Sequence, residues 1–363
     1  GNFVFPNQPL VIVRGPVVQA QFIETMILLT INHQTLIATK ANRICRAAAG
    51  RTVMEFGSRR AQGYDGAIYG ARASIIGGCD STACTIADKY FDVPAVGTMA
   101  HSWVQLFDTE YEAFKAWAEV YPDNCSLLID TYNVLKSGLP NAIKVFDEIL
   151  KPMGKRPKGI RIDSGDITYL TKKCRKALDA AGYPDCKIIV SNSLDEHIIR
   201  DVLEQGACID SFGVGERLIT AKSEPVFGGV YKLVAVENNN KIIPKIKISE
   251  NTEKITNPGF KKIYRIYDNE THNAIADVIA LDHEVIDEKK PLEIFHPIET
   301  WKRKTVTNFY VKDLMVKIFD KGQQVYESPS VLEIKEFSKN ESLKMWPEIL
   351  RFENPHNYYV DLS

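Results

Sequence analysis

Between Thr52 and Phe212, short apolar runs alternate with stretches whose apolar residues fall at helical spacing. The runs are Thr52–Phe56, Val93–Val96, Cys125–Ile129, Gly159–Ile162, Lys187–Val190 and Ile209–Phe212. The helical stretches end at Gly77, centre on Thr109–Tyr121, and cover Asn141–Lys151, Asp166–Ala181 and Asp195–Gln205. A parallel strand pair needs a connection of a dozen or more residues, and a helix supplies it. The alternation therefore implies parallel strands joined by right-handed crossovers. Each run ends in polar or glycine residues, which favours an irregular (βα) barrel over an open sheet, with its chemistry at the strand exits.

The flanks read differently. Phe3–Val13 alternates like a strand and ends at the turn Arg14-Gly15-Pro16. Gln19–Ala49 reads as two helices with Phe22, Met26, Leu29 and Ile44 on one buried face. Glu24, Asn32 and His33 on the same stretch read as surface or satisfied core groups. Beyond Tyr231 the chain turns Lys/Glu-rich, with β-like runs at Lys241–Ile248, Lys261–Tyr267 and Ala274–Ala280. The expected division is an α/β barrel over 15–230 and a mostly β sandwich domain built from both chain ends, 1–14 plus 231–363.

Composition excludes several classes. With a net charge of -1 over 363 residues there is no basic stripe for nucleic acid. No apolar run is long enough to span a bilayer and no signal peptide is evident, so no membrane partner and a cytoplasmic location are expected. The seven cysteines are scattered without a CxxC pair, which points to reduced, mostly buried thiols. Gly1 opens in mid-pattern, so a segment is expected to precede it.

The strand exits carry the chemistry. The first leads into Glu55-Phe56-Gly57-Ser58-Arg59-Arg60, and the second into Gly97-Thr98-Met99-Ala100-His101. The third and fourth end at Asp130 and Asp163, the fifth at Ser191-Asn192-Ser193, and the sixth at Gly213-Val214-Gly215. In Lys158–Ile167 a short strand hands Asp163 and a Ser-Gly turn to a helix whose N-cap is Asp166. Such a turn lets backbone N–H groups approach a phosphate while the carboxylate reaches sugar hydroxyls or a metal. Gly213 and Gly215 would let the backbone close on an anion. Ser193 to Glu196 fits a capping box as well as a site. Arg59, Arg60, Arg161 and Lys232 suit phosphates or a carboxylate, and Phe56 offers a flat face to a ring. His101, after a Gly-Thr turn at a strand exit, suits a general base or a phosphorylated nucleophile. The other histidines read as structural, and Asp80 is ambiguous. These parts point to a planar, charged, phosphate-bearing substrate set.

The motifs EFGSRRAQG (Glu55–Gly63), GTMAHSW (Gly97–Trp103), LLIDTYNV (Leu127–Val134), GIRIDSGD (Gly159–Asp166), SNSLDE (Ser191–Glu196) and FGVGERLITAKSEPVFGGVYKLV (Phe212–Val234) resemble nicotinate phosphoribosyltransferase. The opening Val4–Pro16 resembles that family too. The resemblance implies an irregular α/β barrel plus a sandwich domain. It also implies transfer of phosphoribosyl from phosphoribosyl pyrophosphate to nicotinate, giving nicotinate mononucleotide and pyrophosphate for NAD biosynthesis. ATP is the implied co-substrate, acting through a phosphohistidine that maps onto His101, and Mg2+ accompanies the pyrophosphate. By the same carry-over Thr98, Arg161, Phe56 and Arg59 surround nicotinate, and Asp163 holds the ribose hydroxyls. Ser193, Gly213, Gly215 and Thr220 surround the 5-phosphate, and Lys232 lies by the phosphate or pyrophosphate. The implied assembly is a homodimer with shared active sites, in which a tyrosine from the segment expected to precede Gly1 stacks on the partner subunit's pyridine. Without that segment the chain is expected to be inactive. Two alternatives stay open: nicotinamide phosphoribosyltransferase, with Asp80 receiving an amide, and a non-catalytic binding protein on the same fold.

Overall fold

The computed structural model describes residues 1–248, 250 and 256–363. They form two compact units, one of residues 31–227 with 330–335, the other of residues 1–30, 228–329 and 336–363. The expected division fell at 14/15 and 230/231.

The first unit is built on a parallel sheet. Its strands are β1 (Thr52–Glu55), β2 (Ser81–Thr82), β3 (Ser126–Leu128), β4 (Gly159–Ile162), β5 (Lys187–Ser191) and β6 (Ser211–Val214), in the order β2-β1-β6-β5-β4-β3. Leu127, Leu128, Ile160, Ile162, Ile188, Val190, Phe212 and Val214 are almost fully buried, as strands covered on both faces require. The first strand pairs with the last, Thr52 opposite Ser211 and Glu55 opposite Val214. A first strand beside the last, with the others in chain order, is the cyclic order of a barrel. Among the described residues the ladder stops at one seam, between β3 and Ala95.

That seam corrects the expected strand Val93–Val96. Only the single bridge Thr82–Ala95 forms there. Pro94 has no N–H to donate, and the polar run from Gly97 follows at once. The strand next to β1 is instead the two-residue β2, too short to show any periodicity.

The helices cover the sheet for local reasons. Asp166 caps Ile167–Ala180 by accepting the Tyr169 N–H at 2.8 Å. Glu196–Glu204 is capped by Asp195, which accepts from the His197 and Ile198 N–H groups. The capping box expected at Ser193 is therefore absent. Asn192 and Ser193 have φ of 94° and 50°, so the chain turns through left-handed backbone before the helix begins. In Glu24–Ala47 the buried residues include Ile37, Ala41, Ile44 and Ala47, whereas Met26 and Leu29 are 64% and 63% exposed. Phe22, 87% exposed, belongs to the separate helix Val17–Phe22. The helical period was right, but the first fully buried apolar residue is Ile37; before it, Asn32 Oδ1 and His33 Nε2 are buried without a hydrogen-bond partner, so the two are not satisfied core groups.

The second unit is mostly β. The chain first makes the hairpin β7 (Ala235–Asn238) and β8 (Lys241–Pro244), turned by Asn239 and Asn240, both at positive φ. Its main sheet runs β12-β11-β16-β10-β9-β13. These strands are β9 (Lys261–Asp268), β10 (Ala274–Leu281), β11 (Leu292–Phe295), β12 (Arg303–Val306), β13 (Phe309–Asp313) and β16 (Val360–Leu362). A second hairpin joins β14 (Phe319–Asp320) to β15 (Gln323–Gln324). All neighbours in the main sheet are antiparallel except β10 and β16. Ile266, Ala276, Val278, Ile294, Val306 and Phe309 form its core. Phe3–Val13 does not form a strand. Pro6 and Pro9 lack donors and Asn7 sits at φ 70°, so no ladder can run through them.

All seven cysteines are free, and five are buried. Burial pushes the Cys125, Cys174 and Cys186 thiols up to about 12. At pH 8 such groups are thiolate in on the order of one molecule in ten thousand. Native alkylation with iodoacetamide at pH 8, read by peptide mass, is expected to label Cys45 and Cys208 and to spare the other five until denaturant is added. Among the described residues no helix is long and apolar enough to cross a membrane.

Candidate active site

Consecutive strand exits bring four polar side chains into one network. Arg161 on β4 lies with its guanidinium carbon 5.4 Å from the centroid of the Phe56 ring. Its Nη1 donates to Thr98 Oγ1 at 2.6 Å, its Nε to Ser191 Oγ at 3.0 Å and its Nη2 to Asp163 Oδ1 at 3.0 Å. Ser191 Oγ in turn donates to Asp163 Oδ1. Arg161 and Asp163 are two residues apart on one strand line, so they face the same side. A guanidinium held at three points on a half-buried aromatic face is a rigid cationic platform.

A second group adjoins it. His101 opens the short helix His101–Gln105. Its Nδ1 lies 3.1 Å from Thr131 Oγ1. Its Nε2 lies 3.7 Å from Asp163 Oδ2 and 3.9 Å from Asp130 Oδ1. The His101 side chain is 41% exposed, open to a donor from solvent, whereas that of Asp130 is 1% exposed. Asp130 Oδ2 accepts from the Asp163 N–H at 3.0 Å and from Ser164 Oγ at 2.6 Å. Its Oδ1 is buried without a hydrogen-bond partner. A buried unpaired carboxylate oxygen costs free energy unless a proton, cation or donor reaches it. A cleft of about 240 Å³ opens beside it, lined by Tyr132, Asn133, Ser164 and Gly165 among others. A further cavity of about 320 Å³ sits at the seam, lined by Gly97, Thr98, Trp117, Tyr121, Asn124 and Ser126.

The turn after β1 is fixed from beneath. Glu55 is fully buried; it accepts from the Gly57 N–H and from Thr82 Oγ1 at 2.6 Å. Burial raises its pKa, and those two hydrogen bonds oppose the rise. Gly213 answers to sterics: a Cβ there would come 2.4 Å from Phe56 Cε2. Its lack of a side chain seats the Phe56 ring. At Gly215 a Cβ would come 3.2 Å from the Phe56 carbonyl oxygen.

The expected site residues are not all gathered. Thr98, His101, Arg161 and Asp163 meet in the contacts above, with Phe56 and Gly213 packed beside them. Arg59 is exposed on the turn Ser58–Arg60. Ser193 is exposed and bonds Asn192 Oδ1 at 3.2 Å. Thr220 spends its hydroxyl on the Glu216 carbonyl at 2.8 Å. Lys232 is exposed and belongs to the other compact unit, so the site is built without it. Asp80 pairs with Val53 through two bonds, its N–H to the Val53 carbonyl at 2.8 Å and its carboxylate from the Val53 N–H at 2.9 Å. That is the entering end of β1, opposite the exits, so Asp80 cannot receive a base amide there. Asp130 and Ser191 stand at the strand exits in the sequence reading without a role, and Thr131 and Ser164 were missed as site residues. A signal was present: Ile129-Asp130-Thr131 and Ile162-Asp163-Ser164 repeat one Ile-Asp-hydroxyl triplet at neighbouring exits.

Sequence comparison meets this geometry. The nicotinate phosphoribosyltransferase (NAPRTase) family profile matches residues 52–277, which hold every strand exit described above. The chain belongs to the nicotinate phosphoribosyltransferase family. The profile of the nicotinate phosphoribosyltransferase C-terminal domain matches residues 260–363. Nicotinate phosphoribosyltransferase of Bacillus subtilis is 48% identical over 365 residues, spanning 100% of this chain and 74% of that protein. The Dictyostelium discoideum protein of the same name is 34% identical, spanning 100% of this chain and 70% of that protein. Among solved structures, human nicotinic acid phosphoribosyltransferase matches with a TM-score of 0.80 at 26% identity, covering 96% of this chain and 76% of that one.

Proposed function

We propose that the protein joins nicotinate to phosphoribosyl pyrophosphate, releasing nicotinate mononucleotide and pyrophosphate, with ATP as co-substrate. One observation carries the reading: Arg161, Thr98, Asp163 and His101 converge at the strand exits of a chain in this family. The nicotinate ring nitrogen attacks C1 of the ribose as the bond to pyrophosphate breaks. The transition state resembles an oxocarbenium ion, so positioning and charge complementarity serve it better than a strong base.

Arg161 and Thr98 would contact nicotinate, its carboxylate meeting the guanidinium beside Phe56. Asp163 Oδ2 would take the ribose hydroxyls, since its Oδ1 already has two donors. Gly215, Ser193 and Thr220 would lie around the 5-phosphate, and Arg59 would add to the anion contacts. His101 would accept the γ-phosphoryl group of ATP, releasing ADP, and later lose it to water as phosphate. In the family's terms the working assembly is a homodimer with shared active sites in the cytoplasm.

Mg2+ is implied with the pyrophosphate, and the donors present fit it. Among the described residues no cluster of three or more His, Cys, Asp or Glu forms an all-protein cage. Mg2+ in phosphate chemistry characteristically uses one or two carboxylates plus water and phosphate oxygens. Asp130 Oδ1, buried and unpartnered, is the oxygen that would hold it. Bound there, it would neutralise charge on the leaving group.

Replacing Arg161 tests the base-recognition part. Arg161→Met is expected to raise the KM for nicotinate about a hundredfold, the loss of a charge-assisted pair of ~3 kcal/mol. An unchanged nicotinate KM would remove Arg161 from the base site.

A further inference from the structure

Ser191 is the last residue of β5 and only 4% exposed. Its hydroxyl does two things at once: it accepts from Arg161 Nε at 3.0 Å and donates to Asp163 Oδ1. A hydroxyl is one of the few groups that can do both. The nitrogens involved matter. Arg161 Nη2 reaches Asp163 Oδ1, while Nε is taken by Ser191. Nε and Nη2 form the guanidinium edge that ordinarily grips both oxygens of a carboxylate in a bidentate pair. Here Ser191 occupies one of the two places. Asp163 is thereby held by a single oxygen, and its Oδ2 stays turned toward His101 Nε2, 3.7 Å away.

We propose that Ser191 is a positioning residue that blocks bidentate pairing of Arg161 with Asp163, and so keeps Asp163 Oδ2 available to the ribose of phosphoribosyl pyrophosphate. The inference rests on the assignment of Asp163 to the ribose given above. Without the Ser191 hydroxyl, Nε loses its acceptor, while Asp163, already joined to the neighbouring Nη2 through Oδ1, has a second oxygen to offer it. The pair would close fork to fork. The carboxylate would turn from the substrate, and the guanidinium would turn from Thr98. Gly213 lies opposite Ser191 in the β5–β6 register, and a Cβ there would come 3.3 Å from Ser191 Cβ. The Ser191 side chain is thus confined on the strand side as well.

The test is steady-state kinetics of the protein with nicotinate, Mg2+ and phosphoribosyl pyrophosphate, on wild type, Ser191→Ala, Asp163→Asn and the double variant. Ser191→Ala is expected to raise the KM for phosphoribosyl pyrophosphate about tenfold, because displacing a substrate-binding group by about 1 Å costs of that order or more. KM does not depend on how much protein is folded, so a merely structural role would lower the apparent kcat and Tm and leave KM alone. In the Asp163→Asn background, adding Ser191→Ala is expected to change that KM less than twofold, since the ion pair it guards is already gone. A phosphoribosyl pyrophosphate KM within twofold of wild type in Ser191→Ala overturns the proposal. So does a full tenfold effect that persists in Asp163→Asn, which would make Ser191 act independently of Asp163. Absence of nicotinate mononucleotide from the wild type is a different result: it sinks the reading of the site itself.

Discussion

His101→Ala is expected to abolish the stimulation of nucleotide synthesis by ATP while leaving a slow ATP-independent rate. The effect on the ATP-supported rate is expected to be at least about tenfold, equivalent to ~1.4 kcal/mol of lost driving force or barrier lowering. Three observations set this expectation. His101 Nδ1 is engaged by Thr131, so the ring is oriented. Its Nε2 faces Asp130 and Asp163 without a closer bond. Its side chain is 41% exposed, so a phosphoryl donor can reach it. Initial rates with and without ATP, beside a count of ADP released per nucleotide formed, measure it. Equal ATP stimulation in wild type and variant would remove His101 from the coupling. Thr131→Val is the milder companion, since it frees the ring without removing it.

The largest effect on stability is expected in the second unit, at Asp277. Arg265 and Asp277 are both fully buried and paired twice, Nε to Oδ1 and Nη2 to Oδ2, each at 2.8 Å. Tyr358 Oη donates to Asp277 Oδ1 at 2.8 Å, and Gln8 Nε2 donates to Oδ2. Burial alone would lower the Arg265 pKa, but the Asp277 carboxylate outweighs it and the net direction is up. Tyr358 is pushed up by burial and by the same carboxylate. Asp277→Ala leaves a buried guanidinium with no counter-charge, which costs about 3–5 kcal/mol. A drop in Tm of roughly 10 °C is expected for a unit of this size. The double replacement Arg265→Met with Asp277→Leu is expected to recover most of it, because desolvating an ion pair costs nearly what the pair returns. Calorimetry on the three proteins decides; an Asp277→Ala Tm within 2 °C of wild type would contradict the account. The same cluster explains the opening segment. Phe3 accepts from Arg265 Nη2 at 2.8 Å and Phe5 stacks on Tyr358 at 3.8 Å, so residues 3–8 dock by side chains and isolated carbonyls and not by a ladder.

The sequence made the parallel core legible because burial on both faces leaves continuous apolar runs, and β4 carries the same bounds in both readings. It was less clear where pairing is short or polar. β2 has two residues and no period, and the run at Val93–Val96 reduces to one bridge once Pro94 is taken into account. Helix caps depend on backbone angles that composition does not carry. Ser193 and Asp195 are both good caps by residue type, and only the positive φ of Asn192 and Ser193 gives the place to Asp195. At the site, residues that would touch substrate stood out as charges after glycine turns. Those that hold them, such as Ser191 and Asp130, stood out only as strand ends without a role. A serine ending a strand is common, and its meaning appears only when Arg161 and Asp163 flank it.

The central claim is best tested by identifying the nucleotide the protein makes from phosphoribosyl pyrophosphate and Mg2+ when given nicotinate or nicotinamide, each with and without ATP. The account predicts nicotinate mononucleotide, formed faster with ATP, and little product from nicotinamide. Nicotinamide mononucleotide as the main product, or no nucleotide from either base, would contradict it.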